Sequence, residues 1–81
     1  MESRINIDGY EFRKIEIQII RLLCRQFTNT EIAKELKTPK RTIEYMRRDI
    51  VEMTKSKNTV GVVLFALKHG IYKLRGFERL S

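Results

Sequence analysis

Arg41, Glu44, Tyr45 and Arg48 recur at the three- and four-residue spacing that puts side chains on one face of a helix. Two guanidinium groups, a carboxylate and a phenol on one ridge are hydrogen-bonding chemistry, suited to base edges and phosphates. Between Lys37 and Lys57 stand seven cations (Lys37, Lys40, Arg41, Arg47, Arg48, Lys55, Lys57) against three acids (Glu44, Asp49, Glu52), an excess of four. That excess displaces counterions from a duplex and makes binding salt-sensitive. Helix starts expected at Thr28 and Thr38 add unpaired N–H groups and a positive dipole end, to which a phosphate can bind.

No other residue set proposes chemistry of its own. No His/Cys/Asp cluster has metal-ligand spacing, no Gly-rich loop cradles a phosphate and no nucleophile has a partner base, so no enzyme, cofactor, metal or small-molecule ligand is expected. Cys24, the one cysteine, lies in the apolar run IIRLLC and reads as a small buried hydrophobe. His69 follows Lys68 near a helix end, where the dipole favours a cation, and reads as a solvated cap.

The ridge needs a scaffold, and the stretch TNTEIAKELKTPKRTIEYMRRDI supplies it. Thr28 and Glu31 form an S/T-x-x-E capping box that starts a helix over Asn29 to about Leu36, with Ile32, Ala33 and Leu36 facing inward. Pro39 ends that segment and suits the first turn of the next helix, with Thr38 as its N-cap. That helix runs from Pro39 to about Met53, with Ile43, Ile50, Met46 and Met53 on its core face. Upstream, Phe12 to Arg25 has helical periodicity and an apolar face wide enough to pack on two sides. Downstream, an apolar helix over Thr59 to His69, capped by Asn58 or Thr59, stops at Gly70. Residues 1–11 read as a flexible lead-in or linker, 12–71 as the domain and 72–81 as a basic tail.

Bulk composition agrees. With 81 residues the chain makes one domain, and 42% hydrophobic with 33% charged residues suits a folded unit rather than a disordered tail. A net charge of +7 favours a polyanionic partner. No apolar run approaches the length of a membrane span, and MESRINIDGYE is not a secretory signal, so a cytoplasmic setting is expected.

TNTEIAKEL, RTIEYMRRDI and VVLFALKHGI together resemble the LuxR/GerE/FixJ-type helix-turn-helix domain, the output module of many bacterial response regulators in two-component systems. That family's pattern runs S-N-x-E-I-A-x-x-L, then T-V-K-x-H-x-x-N-I, then A-x-x-x-G-L. Asn29, Glu31, Ile32, Ala33, Leu36, Thr42, Ile43, Ile50, Ala66 and Gly70 fall in its register. The resemblance implies an all-α, four-helix (tetrahelical) domain that regulates transcription by reading duplex DNA, its third helix in the major groove. It implies base and backbone contacts at Glu44, Tyr45 and Arg48, phosphate contacts near Thr28, Asn29, Lys40, Arg41 and Thr42, and a homodimer through the fourth helix. That helix has more apolar residues than one buried face needs, which points to Val62, Val63, Phe65 and Ala66 as the dimer surface. RNA polymerase is a further candidate partner.

The departures bear on target and affinity. Glu44 stands where the family has Lys, Met46 where it has His and Asp49 where it has Asn, and Pro39 takes the place of a capping Ser. Glu44 either accepts from cytosine N4 or weakens DNA affinity. Two alternatives therefore stand beside the regulator: a sigma-factor-like promoter-reading domain, which normally lacks an apolar fourth helix, and a helical protein–protein adaptor that has lost DNA binding.

Overall fold

The computed structural model describes residues 4–74, in the order β1 (Arg4–Ile7), β2 (Tyr10–Arg13), α1 (Lys14–Cys24), α2 (Asn29–Glu35), α3 (Lys40–Met53) and α4 (Thr59–Lys68). The four helices fall where expected, but the fold is not purely α and residues 4–11 are not a loose lead-in. β1 and β2 form an antiparallel hairpin with Ile5 opposite Phe12 and Ile7 opposite Tyr10. Asp8 and Gly9 both take positive φ, 51° and 91°, the conformation that a two-residue turn needs to match the strands' twist. Period-two alternation then puts Ile5, Ile7, Tyr10 and Phe12 on one face. Phe12 is fully buried and lies in β2 rather than in the first helix. Of the expected lead-in, residues 1–3 lie outside the described residues, as do residues 75–81 of the expected tail.

The helices build one core. α1 packs on α3 and α4, and α2 packs on α3. Ile17, Ile19, Ile20, Leu22 and Leu23 of α1 are all buried, which is the two-sided packing its wide apolar face requires. Ile32, Ile43, Ile50 and Val62 complete the centre with no exposed surface, each contributing roughly 1.5–3 kcal/mol of transfer free energy. Met46 and Met53 pack at its margin. The hairpin closes one side: the Tyr10 ring meets Phe65 edge-on at 4.8 Å and Phe12 meets Phe65 at 6.1 Å.

The termini show why the chain turns so sharply. All four helices end in the Schellman pattern, in which the residue two past the C-cap bonds back across the last turn. Phe27 N–H donates to the Leu22 carbonyl at 3.0 Å, Thr38 to Ala33 at 2.9 Å, Ser56 to Val51 at 2.9 Å and Ile71 to Ala66 at 2.8 Å. The left-handed residue is Gly70 after α4, but Gln26, Lys37 and Lys55 after the others. Of these four left-handed residues only the glycine is a stop signal in the sequence.

Two expectations at the helix ends are corrected. Thr38 does not cap α3: its hydroxyl donates to the Leu36 carbonyl at 3.0 Å, and Pro39, with ψ of 140°, is the capping residue with no side-chain bond. Pro39 itself is outside the helical range in ψ, so the helix begins one residue later than expected, at Lys40. His69 is the C-cap of α4, but its side chain is not free in solvent. Its Nδ1 lies 2.6 Å from Asp8 Oδ2, and its ring sits 4.3 Å from Phe65 and 5.6 Å from Tyr10. The hairpin turn brings Asp8 over the end of α4.

Candidate nucleic-acid interface

α3 is the element that carries the ridge. Its inner face is pinned by Ile43 and Ile50, both fully buried. Helical geometry then forces Arg41, Glu44, Tyr45 and Arg48 outward, and all four are exposed, Tyr45 at 61%. From Arg41 to Arg48 they span about 10 Å along the helix axis at ~1.5 Å rise per residue, roughly three base pairs at ~3.4 Å each. Lys40 is exposed at the start of the helix, and Thr42 is half-buried beside it. α3 has no side-chain cap, so its first N–H groups and the cations Lys40 and Arg41 form one positive end.

The other end of the site is the start of α2. The capping box is present as expected: Glu31 N–H donates to Thr28 Oγ1 at 3.2 Å and Thr28 N–H to Glu31 Oε1 at 2.8 Å. Thr28 is exposed, while Asn29 is half-buried. Asn29 Oδ1 accepts from Arg47 Nη1 at 2.6 Å, so its carbonyl is held inside the protein. Arg47 also reaches Thr59 Oγ1 through Nε at 3.1 Å and through Nη2. By sequence Arg47 was one more cation on the flank of α3. The fold instead spends its donors between three helices. No periodicity reveals this, because both acceptors lie far away in the chain.

Glu16 is a second residue that sequence reasoning passed over. It is a charged residue within the apolar period of α1, yet it is 2% exposed. Its Oε1 accepts the Arg13 N–H at 2.6 Å, and Oε2 lies 3.3 Å from Arg13 Nη2. This carboxylate joins the hairpin to the start of α1, and a Glu at the third helical position is the one signal that pointed to it.

The residues expected to form a dimer surface do not stand free. Val62, Phe65 and Ala66 are buried in the chain's own core, and Val63 is half-buried. The hairpin supplies the apolar partner that an all-helical reading lacked, so these residues need no second subunit. The apolar positions of α4 that stand free are Val60 and Leu64, at 64% and 61% exposure. Among the described residues no group of three or more His, Cys, Asp or Glu side chains could hold a metal, and no helix is long and apolar enough to cross a membrane.

No family model and no curated protein matches the sequence. Among solved structures, the transcription factor GerE superposes with a TM-score of 0.72 at 19% identity, over 76% of this chain and 92% of that one. The four helices therefore have the LuxR/GerE-type helix-turn-helix fold, here with a β-hairpin in front of α1.

Proposed function

We propose that this chain is a transcription regulator that reads duplex DNA, with α3 lying in the major groove. One observation carries the reading: Arg41, Glu44, Tyr45 and Arg48 protrude from a single face above the buried Ile43 and Ile50. A groove ~12 Å wide admits such a helix. Arg48 donates to guanine, Glu44 accepts from cytosine N4 and Tyr45 covers a sugar or a thymine methyl. Lys40, Arg41, Thr42 and the α2 start at Thr28 and Asn29 meet the phosphates on either side. The apolar α4 ending at Gly70 favours a regulator of the response-regulator output type over a sigma-like domain. Two copies meet through the exposed Val60 and Leu64, giving a homodimer on paired half-sites with RNA polymerase as a downstream partner.

The test is a fluorescence titration with random-sequence duplex at two salt concentrations. Binding that weakens steeply with salt is expected, with a log–log slope of roughly 0.9 per phosphate neutralised. Absence of binding at low salt, or affinity indifferent to salt, overturns the reading and leaves the adaptor.

A further inference from the structure

We propose that Arg47 is a positioning residue for base reading: it ties the first residues of α2 and α4 to the middle of α3 and so sets how the ridge is presented. The inference rests on the DNA-reading function above.

Nη1 of Arg47 donates to Asn29 Oδ1 at 2.6 Å. Nε donates to Thr59 Oγ1 at 3.1 Å, and Nη2 reaches the same hydroxyl. Asn29 and Thr59 are the first residues of α2 and α4. One planar group therefore joins two helix starts to a third helix. A guanidinium presents its donors in a rigid fork, which a lysine ammonium on a flexible stem does not reproduce. Both acceptors are neutral, and the side chain is half-buried. Arg47 thus adds directional bonds between elements rather than an ion pair, with all three of its guanidinium nitrogens engaged by Asn29 and Thr59.

Asn29 sits beside Thr28, where the site meets a phosphate. The base-reading side chains sit on α3. Phosphate contacts set register and orientation, and base contacts carry the specificity. Base contacts need side chains held within about 0.5 Å and 10–20° of the productive geometry. A loosened junction of α3 with α2 and α4 therefore costs discrimination between sequences more than it costs general affinity for DNA.

The test compares duplex enriched from a random pool with the unselected pool, for wild type, R47M, T59V and T59S. Methionine keeps the apolar stem and removes the fork. Valine at 59 removes the acceptor without touching any charge, and serine restores it. R47M and T59V are expected to lower the enriched-to-random affinity ratio by roughly tenfold, the order of discrimination one good base contact supplies. The salt slope should be unchanged in both, and T59S should return the ratio to wild type. Equal losses on both duplexes, with the R47M slope lower by about 0.9, identify a phosphate contact and overturn the proposal. A wild-type ratio in T59V overturns it as well, and this comparison decides alone should circular dichroism show R47M unfolded. A wild-type chain that binds no duplex fails the parent reading, a result distinct from selective binding that survives the substitutions.

Discussion

Replacing Glu44 with alanine should move specific and non-specific binding in opposite directions. Glu44 is exposed on the groove face, with Arg41 one turn before it and Arg48 one turn after. In a groove ~12 Å wide a carboxylate near the centre lies roughly 6–8 Å from phosphates on both strands. At about 8 Å in water each such repulsion is worth roughly 0.5 kcal/mol before screening. A Debye length of ~8 Å cuts that to ~0.2 kcal/mol. Two or three phosphates then sum to about 0.5 kcal/mol, so random duplex should bind E44A about twofold more tightly. Loss of a cytosine contact on the preferred duplex costs ~1–3 kcal/mol, a weakening of roughly 5- to 150-fold. Fluorescence anisotropy on both duplexes in one buffer reads the two signs directly. Tighter binding to both would mean that Glu44 repels without reading a base. Weaker binding to both would mean that its role is structural, and either result refutes the cytosine assignment.

Other predictions test the ridge and the scaffold. Arg48→Ala should cost ~1–3 kcal/mol on the preferred duplex and much less on random duplex; unchanged affinity in the same titration removes the proposed docking. Asn58 Oδ1 accepts from the N–H groups of Val60 at 3.0 Å and Gly61 at 3.4 Å, so Asn58→Ala should destabilise the domain by about 1 kcal/mol in urea unfolding. Gln26 has φ of 65°. Glycine there relieves ~1–2 kcal/mol of left-handed strain and gives back ~0.5–1 kcal/mol in chain entropy, so Gln26→Gly should stabilise by up to about 1 kcal/mol in the same assay. Burial pushes the Cys24 thiol up from 9.0 to about 11. The unfolded thiol loses its proton first, so this contribution is intact below pH 9 and is lost as pH rises towards about 11. Cys24→Ala should therefore flatten part of the alkaline decline in the urea midpoint, and parallel declines would contradict it.

What the sequence determined by itself is local. Caps and helical faces are written within four residues, so the Thr28–Glu31 box, the inward Ile43 and Ile50 and the outward Arg41, Glu44, Tyr45 and Arg48 were all legible before the fold was known. Asp8-Gly9 is a turn signal in the sequence, but two four-residue strands are too short to stand out beside a long helical period. The remaining assignments depended on partners distant in the chain. Arg47 meets acceptors 18 and 12 residues away, and His69 meets Asp8 across 61. Whether Val62, Phe65 and Ala66 face a second subunit or their own core depended on the hairpin laid against α4. A side chain's type and period limit which bonds it can form, but its partner is chosen only when packing brings remote segments together. For that reason tertiary structure alone decided that Arg47 braces three helices while Arg48 beside it faces outward.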